Sequence, residues 1–149
     1  MAISSAICSS FKQELLQGKH SLDTSGNGGD TFKLAMFTSS ASLGAATTAY
    51  STSNEISGSG YSAGGATLTN TGVGLTSTTA FTDFSDVSFT SASFTANGCL
   101  IYNTTMAGGS GTTNAVCVIA FGGDKTVSSG TFTIQFPTND SSSAIIRLT

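Results

Sequence analysis

The stretch Val87-Ser88-Phe89-Thr90-Ser91-Ala92-Ser93-Phe94-Thr95-Ala96-Asn97-Gly98-Cys99-Leu100-Ile101-Tyr102 sets the fold class of this chain. Its first part, Val87–Phe94, mixes aromatic and β-branched residues with Ser and Thr, the composition of a half-buried strand. Its last part, Cys99–Tyr102, is a short apolar run of the kind that forms a buried strand. Between them stands Asn97-Gly98, a pair that accepts positive φ at both positions and signals a tight hairpin. The competing reading is a bulge inside one continuous strand. Working outward, further strand candidates are Ala66–Thr71, Val73–Thr76, Ala80–Phe84, Ala115–Phe121, Thr131–Phe136 and Ala144–Leu148. Toward the N-terminus, Thr31–Thr38 alternates Phe32, Leu34 and Met36 with Lys33, Ala35 and Phe37, as a strand partly covered on both faces does. Pro137 falls just past a strand, where a missing N–H does little harm. Many short strands punctuated by Gly and Asn predict an all-β protein, an antiparallel β-sandwich or jelly roll in a single domain spanning residues 1–149.

Two segments stand outside this pattern. Ile3, Ile7, Phe11 and Leu15 recur every four residues, which predicts a short amphipathic N-terminal helix over about residues 5–17. Ser4 or Ser5 is placed to cap its start, and Gly18 suits the left-handed position past its end. The helix either covers one end of the sheet core or docks on a partner, and the first is the commoner use of such a face. Charge follows the apolar residues here instead of preceding them, the reverse of a secretory signal. The second segment, residues 39–64, is a long loop rich in Ser, Thr, Gly and Ala, with Leu43, Tyr50, Ile56 and Tyr61 as its large apolar residues. Loops of this length in compact domains either hide short strands or carry function.

The chain has 149 residues and a formal net charge of −3, and only 9% of it is Asp, Glu, Lys or Arg. Ordinary soluble domains carry about 25%. Ser and Thr supply 49 residues and Gly another 18. Five Lys and Arg are too few for a nucleic-acid footprint, whose affinity scales with the phosphates neutralised. No apolar run approaches the ~20 residues of a membrane-spanning helix. Ten Phe and a low net charge also exclude a disordered chain.

Catalytic and metal-binding readings find little support. His20 is the single histidine, so every Ser or Cys nucleophile would have to recruit it as base. Gly108-Gly109-Ser110-Gly111 lacks the spacing of a strand-to-helix nucleophile elbow. Asp83 and Asp86 flank Phe84 in an apparent turn, where Asp bonds local backbone and faces solvent. His20 likewise reads as a solvated loop residue. Asp23-Thr24-Ser25-Gly26-Asn27-Gly28 begins like a calcium loop, but Leu34 stands where the closing carboxylate belongs, which leaves a plain loop. Cys8, Cys99 and Cys117 are odd in number, lack metal-type spacing and imply no disulfide framework. Cys99 and Cys117 read as small buried hydrophobes. Asn103-Thr104-Thr105 and Asn139-Asp140-Ser141 match the glycosylation acceptor pattern but read as ordinary loops. No catalytic residue, cofactor or metal ligand is expected.

Monomers normally keep charges on surfaces and sheet edges to suppress edge-to-edge association. A chain that replaces them with Ser, Thr, Gly and Ala gives up that protection. In return its short side chains lose little rotamer entropy at an interface, and few charges need desolvation there. The composition therefore points to a subunit covered by neighbours in a permanent assembly. The run from Phe32 through Phe37-Thr38-Ser39-Ser40 to Tyr50 resembles a segment of small virion proteins of tailed bacteriophages. So do Asn54-Glu55-Ile56, Gly58–Tyr61, Gly64-Gly65-Ala66, Asp86-Val87, Cys99–Asn103, Phe121–Thr126, Gly130–Pro137 and Ala144–Leu148. The resemblance spans about residues 11–149 and implies a structural component of the virion, of the capsid decoration (cement) type, that bridges neighbouring capsid subunits. It implies the major capsid protein or other virion proteins as partners, and supplies no catalytic residues. Assembly of the particle would take place in the host cytoplasm. A homo-oligomer is expected, and a trimer would suit three-fold lattice positions. The alternatives are a tail or head–tail junction component and a carbohydrate- or receptor-binding β-sandwich. Candidate assembly contacts are Phe11 and Leu15 of the helix and Leu43, Tyr50, Ile56 and Tyr61 of the loop, with burial in the chain's own core as the competing role.

Overall fold

A long antiparallel hairpin, β6 (Val87–Asn103) with β7 (Asn114–Ile134), dominates the computed structural model, which describes residues 2–26, 28–106 and 113–149. On the β7 side lies β1 (Ala6–Ile7); on the β6 side lie β2 (Phe32–Phe37) and β3 (Ala66–Thr67). A second sheet contains β4 (Asn70–Thr76), β5 (Thr79–Phe84) and β8 (Ile146–Leu148). Every pairing within the two sheets is antiparallel. With one short helix, α1 (Ser9–Leu16), this is the all-β antiparallel sandwich that the strand pattern predicts.

The core forms where β2 crosses the far half of the hairpin. Phe32, Leu34, Met36 and Phe37 of β2 are buried with Leu100 and Ile101 of β6 and Val116 and Val118 of β7. The rings of Phe32 and Phe84, 5.7 Å apart, join the two sheets. The chain passes between the sheets at Leu68-Thr69: the N–H of Leu68 still donates to Phe32 on β2, while Thr69 accepts from Ser85 beside β5. The expected strand Ala66–Thr71 is therefore split, its two ends belonging to different sheets.

Asn97-Gly98 does not turn the chain. Neither residue takes positive φ, and Val87–Phe94 and Cys99–Tyr102 are parts of one strand, as the bulge reading had it. Gly98 pairs with Ala120 and Ala96 with Lys125, so the residues Phe121–Asp124 all lie opposite Asn97. Gly98 is needed for space instead: a Cβ there would sit 2.7 Å from Ile3 Cγ2 and 2.8 Å from the Ile119 carbonyl oxygen. A second register shift, around Ser91 at φ 49°, explains the odd apolar pattern of β6. Phe89 has odd parity and Ala92, Phe94 and Ala96 even, yet all four are buried because the shift realigns them. Ala115–Phe121 and the first part of Thr131–Phe136 likewise merge into β7, which ends at Ile134, since Lys125, Thr126, Val127 and Gly130 between them still pair with β6.

The helix is shorter than its apolar period suggests. Ala6 and Ile7 pair with Val118 and Cys117, so Ile3 and Ile7 are in extended chain, and Cys8 caps the helix without a side-chain bond. Gly18, at φ 70°, closes it with Gly18 N–H donating to Leu15 and Lys19 N–H to Glu14. That is the Schellman arrangement. Residues 39–64 hold no regular strand. Single bridges, Ile3 to Leu43, Phe37 to Glu55, Ala49 to Asn114 and Ser59 to Ser93, tie them to the sheet.

Candidate functional site

The histidine expected in solvent is buried, its ring tilted at 58° to that of Phe11 with centroids 4.8 Å apart. Its tautomer follows from its neighbours. Asn103 Oδ1 accepts from the backbone N–H groups of Thr105 and Met106, which turns Asn103 Nδ2 toward His20 Nδ1 (2.9 Å) and Asp30 Oδ2 (2.7 Å). Nδ1 must then accept, so Nε2 carries the proton and donates to Glu14 Oε2 at 2.7 Å. The other Glu14 oxygen accepts from Asn114 Nδ2. This chain of bonds ties α1, the loop before β2, the end of β6 at Asn103 and the start of β7 at Asn114 together. Neither ring nitrogen is left to act as a base toward a hydroxyl or thiol. Asn103, the first glycosylation-pattern residue, is fully buried, with its amide nitrogen committed to His20 and Asp30.

A second polar centre organises residues 39–64. Glu55 is the one charged residue of that tract. Its Oε1 accepts from the Tyr61 hydroxyl (2.6 Å) and the Gly64 N–H (2.7 Å), and its Oε2 from the Tyr50 hydroxyl (2.7 Å). Tyr61 Oη in turn accepts from Met36 N–H, and the Tyr102 hydroxyl donates to the Gly64 carbonyl. Tyr50 stacks on Tyr102 with centroids 4.5 Å apart. Burial first, and then the Glu55 carboxylate, raise the phenol pKa values of Tyr50 and Tyr61. These groups stay protonated and keep donating.

The candidate contact residues therefore separate. Phe11 and Ile56 are buried in this chain's own core and present no surface to a partner. Leu15, Leu43, Tyr50 and Tyr61 are half-buried against the core, and both tyrosine hydroxyls are held by Glu55. The reason is the loop's poverty in other anchors: the few large residues it has are the ones that fasten it down. A lone carboxylate between two tyrosines, in a tract with no other charge, is the sequence signal that would have exposed this centre.

Asp83 is not a solvated turn residue. It is completely buried, its Oδ1 accepting from Phe84 N–H and its Oδ2 from Ile145 N–H. Burial raises its pKa, the two backbone donors pull it down, and nearby Asp86 pushes it up again. Asp86 instead accepts from Phe136 N–H at 2.8 Å. All three cysteines are free and buried; burial pushes the thiols of Cys8 and Cys99 up to about 11 and about 12. Thiols so raised are poor nucleophiles at neutral pH. Asp23 accepts from the backbone and hydroxyl of Ser25, and Asp30 from Ser21 N–H, so the loop that begins like a calcium site is closed by its own bonds. Among the described residues no cluster of His, Cys, Asp and Glu could hold a metal ion, and no helix is long and apolar enough to cross a membrane. Gly108-Gly109-Ser110-Gly111 lies outside the described residues.

Two surface features remain after these internal networks are assigned. One is the second sheet, where Val73, Leu75 and Leu148 are 59%, 71% and 54% exposed. Leu75 faces Ala80, which faces Leu148, so they share one sheet face. The other is an apolar groove of about 650 Å³ at the bend of β7, lined by β1, both arms of β7, Phe136, Pro137 and Ile145. Sequence reasoning found neither, because both depend on which strand faces are left uncovered. No model of a known protein family, no curated protein and no solved structure matches this chain.

Proposed function

We propose that this chain is a non-enzymatic structural protein of a tailed-phage virion, a capsid decoration (cement) protein that bridges and stabilises neighbouring capsid subunits. The observation that carries the reading is the second sheet. Its edge strand β4, Asn-Thr-Gly-Val-Gly-Leu-Thr, contains no charge, and it exposes Val73 and Leu75 beside Leu148. The charged residues of the three strands are Asp83, which is buried, and Arg147, whose guanidinium donates to the Ser142 carbonyl. An uncharged edge with exposed large apolar residues is a liability in a lone monomer and an asset in an assembly that covers it. Many weak contacts of this kind, repeated by symmetry over a shell, add up to firm attachment. The sequence resemblance to small virion proteins supports the same reading, with the major capsid protein as the principal partner.

The test is immunogold electron microscopy of particles from infected cells. Gold distributed over the heads is the expected result. Gold confined to one vertex or to the tail would replace decoration by a junction or tail role, and unlabelled particles would overturn the virion assignment altogether.

A further inference from the structure

The bend in β7 has a specific cause and leaves a specific gap. Four residues, Phe121–Asp124, bulge opposite Asn97, so the two arms of β7 diverge from a common sheet line. On the edge away from β6, the first arm is paired: Ala115 with Thr48, Val116 with Cys8, Cys117 and Val118 with β1. The pairing line ends where Ala120 N–H donates to the Ser5 hydroxyl. From Phe121 to Ile134 that edge has no backbone partner among the described residues. The apolar groove lies along this open stretch, with half-buried Ile119, Phe121, Phe132, Phe136 and Ile145 in its walls. Phe121 and Phe132 touch with ring centroids 6.1 Å apart and continue into Phe94 and Phe89 of the core.

An unpaired strand edge beside an apolar trough has the form of a missing strand. Backbone groups on the edge supply hydrogen bonds, and the trough receives alternate side chains of an added strand. The charge pattern narrows the occupant. Lys125 is the charged residue on the groove, it is exposed, and among the described residues it forms no ion pair. Its neighbour Asp124 is turned away to accept from Asn97 Nδ2 at 2.8 Å. Among the described residues, the apolar residues of the N-terminal segment are pinned to β7 and Leu43, and those of β8 to β5. Residues 107–112, Ala-Gly-Gly-Ser-Gly-Thr, contain no large apolar side chain in their sequence.

We propose that this groove receives an extended, alternately apolar strand of a different virion protein, with an acidic residue of that strand meeting Lys125. The inference rests on the decoration reading above and gives it an attachment mechanism: a neighbouring subunit completes this sheet.

The experiment uses particles assembled with the full chain as wild type, Lys125→Glu, Lys125→Arg, and a variant with the photo-crosslinker p-benzoylphenylalanine in place of exposed Gln135. Lys125 and Gln135 are both exposed, so melting temperatures should match the wild type. Expected are a tenfold or greater loss of particle occupancy for Lys125→Glu, near-normal occupancy for Lys125→Arg, and a crosslink from position 135 to a non-identical virion protein. The crosslinked peptide should be alternately apolar and carry Asp or Glu. Unchanged occupancy of Lys125→Glu, a crosslink to a second copy of this chain, or no crosslink from occupied particles would overturn the groove assignment while leaving the virion reading intact. Absence of the wild-type chain from particles would remove both.

Discussion

Asp83 shows how much a single side chain can differ from its local sequence signal. Read as Thr-Asp-Phe-Ser-Asp, the region looks like a polar turn, but β5 carries Asp83 into the interior, where two backbone N–H groups meet it. Folding raises its pKa, chiefly through burial, so the folded chain holds this proton more tightly than the unfolded one. The slope of unfolding free energy with pH is then negative for this group. Its contribution is fullest below the ordinary carboxylate range and declines as pH rises toward neutrality. Melting curves of wild type and Asp83→Asn between pH 4 and pH 7 should show the wild type losing ground to the variant as pH rises. A constant difference across that window would mean that Asp83 titrates as it does in the unfolded chain. His20 is a parallel case. Its burial could not be seen in the sequence because nearby Glu14 satisfies only one ring nitrogen, and the partner of the other, Asn103, lies 83 residues away.

At the scale of elements, regular strands were more legible than their connections. β2 was readable almost to the residue because its pattern is dense and apolar. The long strands β6 and β7 were read as fragments, since bulges at Ser91 and around Asn97 interrupt the period-two signal without ending the strand. The N-terminal period of four misled over its first half because β7 offered Ala6 and Ile7 a ladder, and strand pairing displaced the helix. Residues 39–64 gave no periodic signal at all; they are ordered by one carboxylate. Glu55→Ala removes the acceptor of two phenols and one backbone N–H, which should cost about 2–4 kcal/mol. A lower melting temperature and new proteolytic cleavage within residues 39–64 are expected. The same logic applies to Tyr50→Ala with Tyr61→Ala, for which a loss of fold stability is expected. An unchanged melting temperature for Glu55→Ala would show that the loop is held by its bridges and not by this centre.

For the whole molecule, the shortage of charge has a spatial expression. The carboxylates of Glu14 and Glu55 are spent on internal bonds and Asp83 is buried, while the second sheet exposes Val73, Leu75 and Leu148. Self-association of the isolated chain should therefore rise with concentration and resist salt, because apolar contacts are not screened. Leu75→Glu with Leu148→Glu should weaken that association in sedimentation experiments with little change in melting temperature, since both side chains are mostly exposed. Equal association of variant and wild type would remove the second sheet as the cohesive surface.

Composition and local pattern determined the fold class of this protein by themselves, because apolar residues alternating with period two match the two faces of a strand. Tertiary structure alone decided which polar residues went inside, where the strands bulged, and which edge of β7 was left open. Those outcomes depend on partners dozens of residues apart in the chain. The free energy of burying a histidine, a carboxylate or a strand edge is set by what the fold brings against it, not by its neighbours in sequence.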